Sequence, residues 1–459
     1  MTLRNILLAG TAIGAAAFLA APAFAASNTQ AELDALKAQI EALQRKVDDV
    51  EIQHGNAIKS LEERKSDVKV GLKNGRPSFE SADGNFTFEL SGRAHLDWGG
   101  YDQDDNSEAN FGGLGNNMNF RRAIFGASGT LMKDFAYDLY FNFGDSGDEQ
   151  NGVIYEAALH YIGIDGVKLS IGAIQPKLTL DDSTSSNDIT FIERATAANL
   201  MTSIGAGDGR MAVGGAGNTD NFFAAAYYTM GSVGPGATTD GDTSNVLGRV
   251  AFATSPKEGP NFHFGLSGTY AANLPGDTIR FRDRPELRVD ATRMIDTSSF
   301  AADSALAYGP ELAFNYGPFR AQGEYYIYTV DGLNGSPDAE FDAWYLQASW
   351  ILTGESYKYS MSKAAYSGVS PDNPFLAGGG MGAWELAARY SQADLNDSDL
   401  GIGDQGGEQD IITVGLNWYP NKNVRFMLNY LNVDVEDRAN VANPNFSHDA
   451  IALRTQFTF

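Results

Sequence analysis

The sequence has no cysteine, only five histidines among 459 residues, and fewer basic than acidic side chains, 33 against 58. Without cysteine there is no disulfide framework, thiolate metal site or cysteine nucleophile. The scattered histidines starve most metal and acid–base mechanisms, and no serine sits in a recognisable nucleophile context beside His95, His160, His263 or His448. An enzyme is therefore not expected, nor any cofactor. A formal charge of −25 disfavours nucleic acid as a partner. A mean hydropathy of −0.26 excludes a bundle of membrane helices.

One apolar run stands at the start. "MTLRNILLAGTAIGAAAFLAAPAFAAS" has a basic opening at Arg4, a greasy stretch and Ala23-Phe24-Ala25 before Ala26, the small-x-small pattern of a secretory signal peptide. The helix-breaking Pro22 and the small exit residues argue against a retained anchor. Cleavage after Ala25 removes Arg4 and no acid, leaving 32 basic and 58 acidic residues, a net of −26. The expected boundaries are a signal peptide over 1–25, a helical segment over 26–66, a linker over 67–85 and one large domain over 86–459.

In the helical segment Leu33, Leu36, Ile40, Leu43, Val47 and Val50 alternate by three and four, an a/d heptad seam. The pattern fits a short parallel coiled coil, and hence an oligomer; a lone amphipathic helix is the alternative. From Phe86 the period changes to two. Trp384, Leu386, Ala388 and Tyr390 oppose Glu385, Ala387 and Arg389; Val424, Phe426, Leu428 and Tyr430 oppose Arg425 and Asn429. Arg320, Gln322 and Glu324 share a polar face, and the chain ends on "IALRTQFTF", with Ile451, Leu453, Phe457 and Phe459 on one side and Arg454 and Gln456 on the other.

A soluble sandwich would show the same alternation, so the connectors decide. Tight ones (131–134, 163–166, 217–220, 255–261, 317–318, 420–423) alternate with long Gly-, Asp- and Asn-rich ones, with one exception near 353–381. Short turns at one end and long loops at the other, joining two-faced strands of ~10 residues, describe an outer-membrane β-barrel of a Gram-negative bacterium. The count is about sixteen strands over roughly 374 residues, a porin-sized barrel. The apolar faces then meet lipid, and Arg454 and Gln456 a wet lumen, while the last strand pairs with the first to leave no open edge.

Several blocks in order resemble the phosphate-selective porins O and P: "NFRRAIFGASGTLMKDFAYDLYFNF", "AALHYIGIDGVKLSIGAIQPKLTLDDSTSSNDITFIERA", "WILTGE", "GAWELAARYS" and "GLNWYPNKNVRFMLNY". The resemblance implies a homotrimer of sixteen-stranded barrels, each with its own pore. It also implies that a long loop, here 175–209, folds inward as the constriction, and that the terminal Phe459 is similar to the aromatic signal read during barrel assembly. Lys177 and Arg194 are the constriction's cations. Asn187 follows Thr-Ser-Ser, where the phosphate-selective members carry lysine. Arg280, Arg282 and Arg284, with Arg288 beyond, resemble the family's arginine ladder; the alternative is a solvated loop, or one bound to lipopolysaccharide phosphates. Arg121 and Arg122 are adjacent, so a regular strand turns only one of them to the lumen.

The function expected is passive diffusion of small hydrophilic solutes with a preference for anions, phosphate among them. The alternative is a tether, with the barrel as anchor and the coiled coil contacting the cell wall. Acidic clusters at 101–108, 145–150 and 394–410 fall on external loops as solvated charge, with Ca²⁺ or Mg²⁺ bridges to lipopolysaccharide as the alternative.

Overall fold

The computed structural model describes residues 29–64, 68–73, 75–144, 153–233, 244–254, 259–376, 379–401 and 405–459. The signal-peptide cleavage site, the acidic cluster at 145–150 and residues 255–258 of the connector 255–261 lie outside them.

Thr29–Arg64 is one α-helix, α1. Its run of Ala, Leu, Glu, Gln and Lys favours helix, and it contains no proline. At 1.5 Å per residue its 36 residues span ~54 Å. The seam from Leu33 to Val50 is exposed along its length, at 50–62%.

The expected linker contains a hairpin, Val68–Lys73 with Arg76–Ser81, whose second strand pairs with the first barrel strand through Ser78, Phe79 and Glu80. Sixteen antiparallel strands then close into a barrel. They are β1 (Phe86–Gln103), β2 (Asn117–Leu131), β3 (Phe135–Asn142), β4 (Val153–Ile164), β5 (Val167–Ile174), β6 (Arg210–Asn218), β7 (Phe222–Ser232) and β8 (Ser244–Ala253). The second half comprises β9 (Asn261–Asn273), β10 (Phe300–Tyr316), β11 (Phe319–Gly332), β12 (Ala339–Ile351), β13 (Ala383–Asp394), β14 (Gly406–Asn421), β15 (Val424–Arg438) and β16 (Phe446–Thr458). Each pairs with its neighbour in sequence, and β16 closes on β1 with Leu453 opposite Trp98 and Phe457 opposite Ala94. Phe459 completes the seam by exchanging backbone hydrogen bonds with Gly92 at 3.0 and 3.1 Å.

The barrel is inside out relative to a soluble protein. Ile451, Leu453, Phe457, Leu386, Ile412, Val414 and Leu428 are exposed, while Arg454, Gln456, Glu385, Arg389, Arg425 and Asn429 are buried. Aromatic pairs gather on the outer face near the short-turn end: Phe319 on Trp350, Trp384 on Trp418, Trp418 on Phe426, Phe262 on Phe314 and Phe222 on Phe252. Each is a direct cross-strand pair, so the rings form a girdle at one level, where amphipathic rings suit a membrane interface.

Among the described residues, three connectors fold into the barrel. From the long-loop end come residues 175–209 and the segment holding the small hairpin Arg282–Asp283 with Ile295–Asp296. From the short-turn end comes 353–381, the exception noted in the sequence, which carries the hairpin Lys358–Ser360 with Ala365–Ser367. These inserts bury Leu178, Leu200, Met201, Phe281 and Met294 against inward Tyr326, Tyr328, Phe341, Val433 and Phe446. The long-loop half is thus packed. Arg454 and Gln456 do face inward; loop 175–209 covers Arg454, so the expectation that water meets it fails, while Gln456 borders a cavity of 380 Å³.

Candidate pore constriction

Loop 175–209 contains the helices Leu180–Ser183 and Thr196–Gly205, and between them the backbone polar groups of residues 189–193 find partners in the lumen. Guanidinium groups of the wall supply them. Arg425 donates to the carbonyls of Ile189 (2.7 Å) and Thr190 (3.1 Å), Arg454 to Ile192 (2.5 Å) and Arg389 to Glu193 (3.1 Å). Arg93 reaches the Ser186 hydroxyl at 2.8 Å, Arg249 that of Ser183 at 2.9 Å, and Arg320 that of Thr190. From the same strand as Arg320, the Glu324 carboxylate accepts from the backbone N–H groups of Leu180 (2.6 Å) and Asp181 (3.1 Å). An Arg offers five donors in a rigid fork, enough to clamp successive carbonyls. The period-two pattern turns these arginines inward. It does not reveal what they grip.

Glu193 is the hub. Its carboxylate meets Arg121 at 2.9 Å, Arg454 at 2.9 Å, Arg122 at 3.5 Å and Arg288 at 3.6 Å. Arg454 also forks onto Asp97 with two bonds of 2.6 Å. Burial alone would push the Glu193 carboxyl up, but the four guanidiniums hold it well below the usual range. The expectation that only one of Arg121 and Arg122 faces inward fails. The register shifts between His95 and Leu96, which face Arg122 and Phe120, so Arg121 is the extra residue of a β-bulge and both side chains reach Glu193.

The other expected site residues divide. Asn187 lies against the wall: its Oδ1 accepts from His95 Nε2 at 3.0 Å and its carbonyl from Gln456 at 3.0 Å. Arg194 turns back into the loop, donating to the carbonyls of Thr184 (2.8 Å) and Asp182 (3.1 Å). Lys177 borders a cavity of 630 Å³, and burial draws its ammonium below the ordinary lysine value. The comb expected of Arg280, Arg282 and Arg284 is broken. Arg280 and Arg282 are exposed, with Arg280 forked onto Asp296 at 2.5 and 2.6 Å. Arg284 is buried. The chain leaves extended geometry at Glu286, whose φ is 54°, and Arg288 reaches the Glu193 hub instead. The acidic clusters serve turns where they are described: Asp104 caps the helix Asp105–Phe111 through Ser107 N–H at 2.6 Å, and Asp397 accepts from Asp399 and Glu340 at 2.8 and 2.7 Å.

Lys363 carries no sequence motif. It sits at the tip of the insert from the short-turn end, whose Lys363 and Ala364 carbonyls accept from Arg249 at 2.9 and 2.7 Å. There it borders both the 630 Å³ cavity and a second one of 380 Å³ that Asn187 also lines. The anomalous length of 353–381 was the available signal. Ser170, His160 and Asp138 line up at 2.8 and 2.9 Å, a hydroxyl–imidazole–carboxylate row. The ladders of β5 to both neighbours occupy the backbone around Ser170, so its own strand offers no free backbone N–H to a developing oxyanion.

The chain is 28% identical over 428 residues to porin O of Pseudomonas aeruginosa, covering 86% of this chain and 93% of that one. Its fold is similar to a loop-deletion form of OmpT, an outer membrane protein of Vibrio cholerae (TM-score 0.51, 13% identity, 82% of this chain and 100% of that one). It is also similar to the outer membrane channel DcaP of Acinetobacter baumannii (TM-score 0.50, 10% identity, 83% and 99%). The family model for phosphate-selective porin O and P matches residues 88–459, nearly the whole barrel. The chain is an outer-membrane porin of the phosphate-selective porin O and P family.

Proposed function

We propose that this porin passes small hydrophilic solutes by diffusion and prefers anions, phosphate-sized oxyanions included. The lining of the two cavities beside the constriction carries the reading. Arg76, Arg93, Lys422 and Arg425 border the smaller, Lys168 and Lys177 the larger, and Lys363 both. Four carboxylates oppose these seven cations: Glu156 in both cavities, Asp188 in the smaller, Asp138 and Asp165 in the larger. The local net of +3 opposes the −25 of the whole chain. In a narrow passage it is the local ring that sets ion preference. Most wall arginines are committed to Glu193, Asp97, Glu286, Glu311 or loop carbonyls. Lys177 and Lys363, like Arg76 and Lys422, form no ion pair among the described residues, so these four cations are open to a solute, and of them Lys363 borders both cavities. Lys363 thereby stands in for the lysine that Asn187 replaces.

The exposed seam of α1 supports pairing with further copies, hence a homotrimer with a helical bundle. The apolar outer face suits membrane lipid, and exposed Arg280 and Arg282 at the long-loop rim suit lipopolysaccharide phosphates.

The test is a reversal potential in a tenfold KCl gradient across a planar bilayer. The parent should favour chloride, and Lys177→Gln with Lys363→Gln together should lower that preference several-fold. A cation-selective parent, or a double variant with unchanged preference, overturns the proposal.

A further inference from the structure

Asp138 of β3 faces Ala158 of β4, so Glu156 and His160 flank it diagonally on the same inward face. One ligand atom from each of these three residues lies within 4.8 Å of the others. All three border the 630 Å³ cavity, which leaves room for water beside them. The imidazole is oriented: Nδ1 lies 2.8 Å from the Ser170 hydroxyl and Nε2 2.9 Å from Asp138 Oδ2. Glu156 accepts no hydrogen bond among the described residues, and Lys168, 3.5 Å from Asp138, is half exposed and can swing away.

One imidazole nitrogen and two carboxylates, with open positions toward water, suit zinc-class divalent cations better than Mg²⁺, which prefers oxygen in octahedral geometry. With Nδ1–H donating to Ser170, the Nε2 lone pair points at the carboxylates, the outer-shell arrangement that fixes a histidine ligand. Ligand atoms on a tetrahedral Zn²⁺ lie ~3.3 Å apart for bonds near 2.0–2.1 Å. The Nε2–Oδ2 pair at 2.9 Å opens slightly and the wider pairs, none beyond 4.8 Å, close by at most ~1.5 Å, a change within reach of side-chain rotation.

We propose that Asp138, Glu156 and His160 form a lumenal site for a Zn²⁺-class cation. Occupancy neutralises two carboxylates in the cavity that Lys177 and Lys363 line, and so strengthens anion preference. The effect on current rests on the reading of the lumen as a permeation path; the binding itself does not.

Calorimetry on the full-length protein in detergent should show one Zn²⁺ per chain, and Co²⁺ should give a visible d–d band. His160→Gln should weaken Zn²⁺ at least tenfold, as should Glu156→Gln, which breaks no hydrogen bond and so is not expected to disturb folding. Ser170→Ala should weaken it less, as a positioning residue. In bilayers, Zn²⁺ added from the short-turn side should shift the parent's reversal potential further toward chloride, leave His160→Gln unmoved, and have no counterpart with Mg²⁺. Equal Zn²⁺ affinity in the parent, His160→Gln and Glu156→Gln would overturn the site. Binding lost in both variants with no shift in the parent's potential would overturn its effect on permeation. A metal-free parent without anion preference that still binds Zn²⁺ through His160 would refute only the channel's selectivity.

Discussion

Replacing Glu193 with glutamine removes the one negative charge on which Arg121, Arg122, Arg288 and Arg454 converge, at 2.9, 3.5, 3.6 and 2.9 Å. A unit-charge pair near 3 Å at an effective dielectric of ~20 interacts by roughly 5–6 kcal/mol before desolvation. Removing one partner of a buried pair costs about 3–5 kcal/mol, because the remaining charges lose their compensation. The barrel should still form, since its ladders do not involve this carboxylate. Loop 175–209 should dock less firmly, held by its hydrogen bonds to Arg425, Arg389, Arg93, Arg249 and Glu324 without the buried charge cluster. Single-channel recordings should show noisier current and a larger open conductance, and the urea midpoint in detergent should fall. Glu80→Gln is the control: its pair with Lys69, 3.1 Å long and largely exposed, is worth about 0–1 kcal/mol and should change nothing measurable. The acid side adds a check. Because the folded carboxyl lies below its ordinary value of 4.5, its contribution is complete above that pH and is lost only as pH falls through the lower folded value. The parent's noise should stay constant down to pH 4.5 and grow in stronger acid, a rise absent from Glu193→Gln. A variant indistinguishable from the parent in noise, conductance and urea midpoint would refute the clamp.

Asn187→Lys places a cation in the 380 Å³ cavity, and a charge pair at ~4 Å is worth about 4 kcal/mol before desolvation. Phosphate should block this variant at much lower concentration than the parent, as read from single-channel currents in a phosphate titration. Arg280→Ala removes an exposed rim side chain already forked onto Asp296, so reversal potentials should stay within error of the parent. Deleting residues 29–64 should leave single-channel conductance intact and weaken the oligomer, measured as a lower dissociation temperature on unboiled gels.

Local chemistry is what the sequence determines here. Alternation such as Val424, Phe426, Leu428 and Tyr430 against Arg425 and Asn429 assigns each side chain to lipid or interior, because a strand has only two faces. The connector lengths then turn those strands into a closed barrel of sixteen. What lies inside depends on residues far apart along the chain, and no local pattern reports it. Arg454 pairs with Asp97 across 357 positions, and Arg249 grips carbonyls at the tip of an insert 114 and 115 positions away. The bulge that turns both Arg121 and Arg122 inward is set by register against β1. Arg194, legible as a cation, is taken up by the carbonyls of its own loop and by the Asp182 carboxylate at 3.6 Å. Lys363 gains its place only because 353–381 folds back into the barrel. Which charges remain open to a solute is therefore decided in the tertiary structure, where a buried guanidinium must be satisfied by whatever the fold brings beside it.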